Sequence, residues 1–169
     1  MGLFETMHYT IIKKNKRIEI RQYDDFLLAA TKTTPNKRLD SGFMNVFNYI
    51  SGENDTSQKI SMTTPVVSYE EDDRLVTGFY VPSKYDKSTV PKPTSDSVSI
   101  QENKSSIYAV IRFSGGWKEK NFKLAETTLR EYLQKNGYDI VSNRIIFRYQ
   151  PPFIPAFLRR NEIAFKLNM

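Results

Sequence analysis

The feature that most constrains the fold of this chain is a proline-rich apolar stretch at residues 149–158, which reads YQPPFIPAFL. Proline has no backbone N–H and a fixed φ, so Pro151, Pro152 and Pro155 exclude a central strand or a helix interior there. The residues between the prolines are nevertheless large and apolar. A stiff loop of this composition must cover a core, line a pocket or contact a partner, and the sequence leaves these three roles open.

Composition excludes several classes of function. The 169 residues include no cysteine and one histidine, His8, so disulfides, zinc–thiolate sites and thiol nucleophiles are excluded. The length is that of a single domain with a substantial core. Ten Tyr and eleven Phe supply flat apolar surfaces. The net charge of +6 favours an anionic small molecule or weak nucleic-acid contact. Because the basic residues are scattered rather than striped, we expect no nucleic-acid partner.

The sequence also predicts the cellular location of the protein. The first residues, MGLFETMH, lack a basic segment followed by an apolar run, so we expect no signal peptide. No apolar run approaches the roughly 20 residues that a membrane span needs. We therefore expect a soluble, cytoplasmic protein without a membrane partner.

Hydrophobic periodicity predicts strands around one helix in the first half of the chain. The predicted strands are 9–13, 17–21, 26–33, 60–69 and 75–81, with a turn at the acidic run 70–73. A helix is predicted over 40–50, where Phe43, Phe47 and Ile50 recur at helical spacing. Asp40 or Ser41 can cap its start, and Gly52 ends it. Its apolar face is broad, so either both of its sides are buried or one side lines a cavity.

The second half repeats this order of elements. Its predicted strands are 98–101, 107–113, 144–149 and 162–167, and its predicted helix is 121–135, ended by Gly137. Trp117 is expected to be a packing anchor for this helix. A loop rich in Pro, Ser and Lys, 82–97, joins the halves. We predict a single α+β domain: antiparallel strands form a distorted barrel or curved sheet with two helices, as a pseudo-twofold repeat of about 8–81 and 98–168.

Several motifs together resemble the SOUL heme-binding protein family. The segment KISMTTPV at 59–66 resembles the family signature K-I-x-M-T-x-P-V, and RIEIRQY at 17–23 resembles its early strand. Similar matches follow in order within 42–54, 81–93, 108–115 and 151–162. Together they cover nearly the whole chain. The resemblance implies a distorted antiparallel barrel of two related halves with two helices, and heme as the ligand.

The resemblance further implies that a tetrapyrrole lies in an apolar cleft between the first helix and the C-terminal proline-rich loop. Porphyrin faces stack on aromatic side chains, and propionates pair with cations at the rim. The expected ligand-binding residues are therefore Phe43, Phe47, Met62, Phe153, Ile154, Phe157 and Arg159, with Lys37, Arg38 and Arg160 as further cations. Met62 is either core packing or the floor of the cleft. The alternative for Arg160, which we favour, is that it braces the final strand together with Glu162.

The chain departs from heme-binding relatives at several positions. Gln22 stands where some relatives carry a histidine that is a candidate iron ligand, and an amide is a poor ligand for heme iron. Asp40, Asn48 and Ile154 stand where others carry basic residues, and an aspartate repels a propionate. His8 is expected to be exposed or locally bonded. We therefore expect heme or another flat apolar anion to bind without histidine ligation, and no metal site made by the chain.

Three functions remain open on this sequence. The domain is a non-enzymatic heme-binding protein, a sensor or carrier of small hydrophobic effectors, or a protein-interaction module anchored by residues 153–158. No nucleophile elbow, phosphate-binding loop or metal-ligand spacing indicates catalysis, so we expect no enzymatic activity. The sequence does not predict the oligomeric state.

Overall fold

The computed structural model describes residues 4–34 and 42–169. These residues form eleven strands, two α-helices and one short 3-10 helix. In chain order the elements are β1 (Glu5–Thr6), β2 (Tyr9–Asn15), β3 (Ile18–Tyr23), β4 (Phe26–Thr33), α1 (Phe43–Ile50), β5 (Thr63–Thr64), β6 (Val66–Glu71), β7 (Arg74–Tyr80), β8 (Ser99–Asn103), β9 (Ser106–Phe113), α2 (Glu119–Lys135), β10 (Ile145–Arg148), the 3-10 helix (Ala156–Leu158) and β11 (Asn161–Lys166). They fall into two compact units: the described residues up to Met7 with those of Asp25–Lys104, and His8–Asp24 with Ser105–Met169.

The first unit contains a four-stranded antiparallel sheet in the order β6-β7-β4-β8. Strands β1 and β5 form a short parallel pair, and β5 contacts β7 of this sheet. Strands β6 and β7 form a tight hairpin whose two turn residues, Asp72 and Asp73, have φ angles of 50° and 60°. Positive φ at both positions gives the turn a twist that matches the flanking strands. The acidic run 70–73 thus ends β6 and supplies the turn, as predicted.

Helix α1 packs on β4 and β7 through its buried face. Val46, Tyr49 and Ile50 are buried there, together with Phe79 of β7. The Tyr49 hydroxyl donates a hydrogen bond to the carbonyl of Pro91, and burial raises the pKa of this phenol to about 12. The helix therefore contributes its inner side to a continuous apolar core, as the predicted spacing requires.

The start and end of α1 depend on two glycines. At Gly42, which precedes the helix, a Cβ atom would lie 2.5 Å from Cγ2 of Thr31, so only glycine fits without a shift of its neighbours. Gly52 follows the helix with a φ of 129°, a conformation that side-chain-bearing residues rarely adopt. The predicted stop at Gly52 is confirmed. The predicted caps, Asp40 and Ser41, lie outside the described residues.

The second unit contains a five-stranded antiparallel sheet in the order β2-β3-β9-β11-β10. Helix α2 packs on β9 and β11. Its buried apolar residues recur at helical spacing and are Phe122, Ala125, Leu129 and Leu133. Gly137, with a φ of 74°, ends the helix, and the following Tyr138 N–H donates to the carbonyl of Leu133 at 2.9 Å. This is the predicted C-terminal stop.

The predicted α+β class, with antiparallel strands and two helices, is confirmed. One strand differs: residues 60–62 are not in a strand, and Pro65 separates β5 from β6 because it has no N–H to pair. The pseudo-repeat of 8–81 and 98–168 stays a prediction. The compact units group the chain differently, since the β2–β3 hairpin belongs with the second unit. Among the described residues, no helix is long and apolar enough to cross a membrane.

Candidate ligand-binding site

One candidate ligand-contacting surface is the aromatic face of α1, in the first unit. Phe43 and Phe47 lie one helical turn apart, and their rings are nearly parallel, with centroids 5.9 Å apart and an interplanar angle of 16°. Phe47 is 38% exposed. Met44, on the same turn, is exposed as well. The helix therefore presents a flat apolar surface on which a planar ligand can stack.

This aromatic surface is held in place by the core beneath it. The ring of Phe43 meets the buried ring of Phe79 edge-on, with centroids 5.2 Å apart. Met62 is half-buried and packs against the same hydrophobic cluster as Phe43. Packing of Met62 on the core is thus observed, and its contact with a ligand stays a prediction. A rigid support of this kind fixes the orientation of the exposed Phe47 ring.

The second candidate surface is the proline-rich loop, residues 149–160 of the second unit, which joins β10 to β11. Its predicted site residues differ in exposure: Phe153 is 83% exposed, Phe157 is 74% exposed, and Ile154 is half-buried. The prolines exclude a strand as predicted, and the loop includes a single turn of 3-10 helix. Side chains as apolar as these, turned towards solvent, are available to a ligand or a partner.

Arg159 braces this loop from within. Its Nε donates to the carbonyl of Ile154 at 2.9 Å, and its Nη2 donates to the carbonyl of Pro152 at 2.7 Å. The Gly115 N–H donates to the carbonyl of Ala156 at 3.1 Å. These bonds satisfy backbone carbonyls that the prolines leave without strand partners. Arg159 therefore fixes the shape of the loop, a role that its sequence position does not reveal.

Trp117 lies against the same arginine. The guanidinium of Arg159 lies over the indole ring, 4.4 Å from its centroid, and that of Arg148 lies 4.9 Å from it. The indole N–H donates to the side-chain oxygen of Asn161 at 2.9 Å. The expectation that Trp117 anchors the second helix did not include these contacts with the loop and with β11. Arginine stacks on indole through the negative face of the ring, so Trp117 supports Arg159 in its bracing position.

Both ends of the loop are tied to one buried carboxylate, Glu162. Arg160 donates to Glu162 through Nε at 3.2 Å and Nη2 at 2.9 Å, and the Tyr149 hydroxyl donates to it at 2.9 Å. Arg21 of β3 makes two further hydrogen bonds to the same carboxylate. The prediction that Arg160 and Glu162 brace the final strand is confirmed. No sequence pattern predicted that Arg21 or Tyr149 belongs to this network.

The network is charged although it is buried. Burial favours the neutral form of Glu162, but the hydrogen bonds and positive charges of Arg21 and Arg160 outweigh it and hold the pKa of the carboxyl below its usual value. Burial raises the pKa of Tyr23 and of Tyr149, so both phenols stay neutral. A carboxylate held between two guanidiniums gives the loop a rigid base.

The remaining predicted positions are less informative. Gln22 is exposed, and its amide donates to the Ser105 hydroxyl at 3.3 Å. His8 is exposed, which agrees with the interpretation of an exposed or locally bonded side chain. Lys37, Arg38 and Asp40 lie outside the described residues. Within 4–34 and 42–169, no group of three or more His, Asp or Glu side chains could hold a metal ion.

The family model described as SOUL heme-binding protein matches residues 4–166. Heme-binding protein 1 of Xenopus laevis is 29% identical over an alignment 186 residues long, which covers 99% of this chain and 95% of that protein. Heme-binding protein 2 of Homo sapiens is 26% identical over 157 residues, which cover 86% of this chain and 75% of that protein. The similarity is therefore spread along the chain rather than confined to one motif.

A solved structure, the EcmrR C-terminal domain, has the same fold. It matches with a TM-score of 0.68 at 10% identity, covering 96% of this chain and 99% of that one. At this level of identity the likeness shows the fold alone.

Proposed function

Because the chain belongs to the SOUL heme-binding protein family, we propose that it binds heme or another tetrapyrrole and that it is not an enzyme. The proposed contacts are the aromatic face of α1 and the proline-rich loop. The observation that carries the proposal is the nearly parallel pair of Phe43 and Phe47, with Phe47 exposed. A planar apolar ligand gains most from such a surface, because it can stack over its whole face.

The residues of the loop suit the rest of a tetrapyrrole. Phe153, Ile154 and Phe157 are apolar, and none of their neighbours in residues 149–160 is acidic. Arg159 uses Nε and Nη2 to hold the loop, and a guanidinium has five N–H donors. Arg159 can therefore brace the loop and still donate to a propionate. Such charge-assisted bonds are stronger than bonds between neutral groups.

We propose that the chain supplies no histidine to the iron. Gln22 stands at the position where some relatives carry a candidate ligand, and its amide is bonded to Ser105. Met62, a possible thioether donor by chemistry, is packed against the core of the first unit. Heme, when bound, would bring its own redox chemistry, while the chain binds its flat ring and its carboxylates. Affinity would then depend little on the metal.

The test is a hemin titration followed by the Soret absorbance of wild type and two variants. We expect saturable one-to-one binding of wild type with a Kd below about 10 μM, equivalent to about −7 kcal/mol. Phe47→Asp should weaken binding at least about tenfold, because it removes a stacking ring and repels the propionates. Leu124→Asp is the matched control: Leu124 is 70% exposed on α2, and this change should leave Kd unaltered.

Two results would oppose the proposal. A titration that never saturates would contradict tetrapyrrole binding. Equal loss of affinity in both variants would contradict binding at the aromatic face of α1. If hemin fails while hydrophobic cations bind and Phe47→Asp abolishes that binding, the chain is a carrier or sensor of other apolar effectors. Position 22 carries Gln where some relatives carry a histidine, and this difference favours the second candidate function.

A further inference from the structure

Three large apolar side chains of the proline-rich loop are more exposed than Phe47 of α1. Phe153, Phe157 and Leu158 are 83%, 74% and 60% exposed. They lie within six residues of one another on the loop. At roughly 200 Å² for each large side chain, they offer about 400 Å² of apolar surface to solvent. An exposed apolar patch of this size is often functional.

The loop presents these side chains in a fixed shape. Arg159 ties together the carbonyls of Pro152 and Ile154, and Gly115 ties the 3-10 helix to the strand end before α2. The loop ends are bonded to buried Glu162. Binding therefore does not require the loop to become ordered, which lowers the entropic cost of docking.

The chain around the loop is basic. Residues 140–161 contain four Arg and no Asp or Glu. Arg144 and Arg160 are paired with carboxylates of α2 and β11, and Arg148 is buried. Residues 109–118, which contact the loop through Gly115 and Trp117, contain one Arg, one Lys and again no acidic residue. Arg112 and Lys118 are exposed, and the bonds of Arg159 run to neutral carbonyls. The acidic neighbours Glu119 and Glu162 are each paired with an arginine. An apolar tip within a basic surround is typical of proteins that bind the interface of anionic membranes.

A second protein chain fits the loop less well. About 400 Å² is half of the roughly 800 Å² per partner that stable protein interfaces bury. Two copies docked loop to loop would also bring two basic surrounds together, which repel each other. A bilayer accepts a protruding apolar loop without a complementary shape. Contrary to the expectation of no membrane partner, we propose that the proline-rich loop of the ligand-free protein docks on anionic lipid surfaces, with Phe153, Phe157 and Leu158 entering the interface.

The experiment is sedimentation of the ligand-free protein with phosphatidylcholine vesicles that contain or lack phosphatidylserine. Wild type should bind the anionic vesicles at least about tenfold better than the neutral ones at low salt, and the difference should shrink as salt is added. The double variant Phe153→Ser, Phe157→Ser should lose at least about tenfold in binding, because two exposed rings no longer enter the bilayer. Leu124→Ser, which removes an equally exposed apolar side chain from α2, should bind as wild type does.

Trp117 provides an independent readout. It is the only tryptophan of the chain, and its ring stacks on Arg159 of the loop. On binding, its fluorescence should be quenched by lipids brominated close to the headgroup and less by lipids brominated at the chain end. This pattern would place the loop at the interface without any variant.

Three outcomes overturn the proposal: no binding of wild type to anionic vesicles, equal binding by the loop variant and wild type, or concentration-dependent self-association that the loop variant abolishes without vesicle binding. The last result would assign the loop to a second copy. Because every measurement is made without tetrapyrrole, failure here leaves the hemin titration of wild type and Phe47→Asp unaffected, and failure of that titration leaves this one unaffected.

Discussion

Arg21 and Glu162, 141 residues apart in the chain, face each other through two hydrogen bonds: Nη1 to Oε1 at 2.9 Å and Nη2 to Oε2 at 2.7 Å. Neither side chain is exposed by more than 2%. The pair joins β3 to β11 in the second unit, and the same carboxylate holds both ends of the proline-rich loop. A buried ion pair is favourable only while both partners remain, because loss of one leaves an uncompensated charge.

Glu162→Gln should therefore destabilise the protein by about 3–5 kcal/mol, since it leaves the buried guanidinium of Arg21 and the half-buried one of Arg160 beside a neutral amide. Urea unfolding followed by Trp117 fluorescence measures this change. Glu71→Gln is the control: Glu71 pairs with Lys32 at 3.0 Å, and both side chains are about half exposed. Loss of such a surface pair should cost less than about 1 kcal/mol. Similar losses in the two variants would show that Glu162 is not the central charge of the second unit.

The same carboxylate makes stability depend on acid pH. Its pKa in the folded protein is below its usual value, because its bonds to Arg21 and Arg160 outweigh the effect of burial. Its contribution to the free energy of unfolding is therefore fully present above the unfolded pKa of about 4.3. This contribution is lost as the pH falls below that value towards the pKa of the folded state. Wild type should lose stability between about pH 5 and pH 3 more steeply than Glu162→Gln, which cannot titrate there. Equal slopes in the two proteins would contradict this assignment.

Close packing of α1 on β4 gives a third prediction. Gly42→Ala should destabilise the protein by about 1–3 kcal/mol, because its Cβ would lie 2.5 Å from Cγ2 of Thr31. Thr31→Ser removes that methyl group and keeps the hydroxyl that accepts a bond from Asn45. In the double variant most of the loss should be recovered, which a double-mutant cycle by urea unfolding will show.

Gly116→Ala is the control for this cycle. A Cβ at Gly116 would come no closer than 3.9 Å to its nearest neighbour, so the change should be tolerated. If the losses of Gly42→Ala and Thr31→Ser simply add, contact between these two residues does not determine how α1 packs.

The strands and helices were largely predictable because their signals are local. Periodic apolar residues place α2 within two residues of its observed start, and the predicted turn at the acidic run 70–73 is formed by Asp72 and Asp73. Strand β1 could not be predicted, since two residues show no period. The grouping of the β2–β3 hairpin with β9 depends on pairing across about 90 residues, for example Ile20 with Ala109. Local patterns carry no information about such a pairing.

The candidate site was predictable in composition but not in its supports. The aromatic residues of α1 and of the loop stand out in the sequence, and the family resemblance implies that both segments contact the ligand. The brace of Arg159 on two carbonyls and the stacking of Trp117 depend on the folded path of the loop. The buried arrangement of Arg21 with Glu162 requires β3 and β11 to lie on either side of β9. Each of these contacts joins residues that no sequence spacing relates.

The most direct test of tetrapyrrole binding without histidine ligation is to titrate wild type in parallel with hemin and with metal-free protoporphyrin. The proposed stacking on Phe43 and Phe47 involves the ring rather than the iron, so both ligands should saturate one site. Their Kd values should agree within about threefold, or about 0.7 kcal/mol. Hemin binding more than about 100-fold tighter than the metal-free ring, and lost in His8→Ala, would contradict the account. So would the failure of both ligands to saturate.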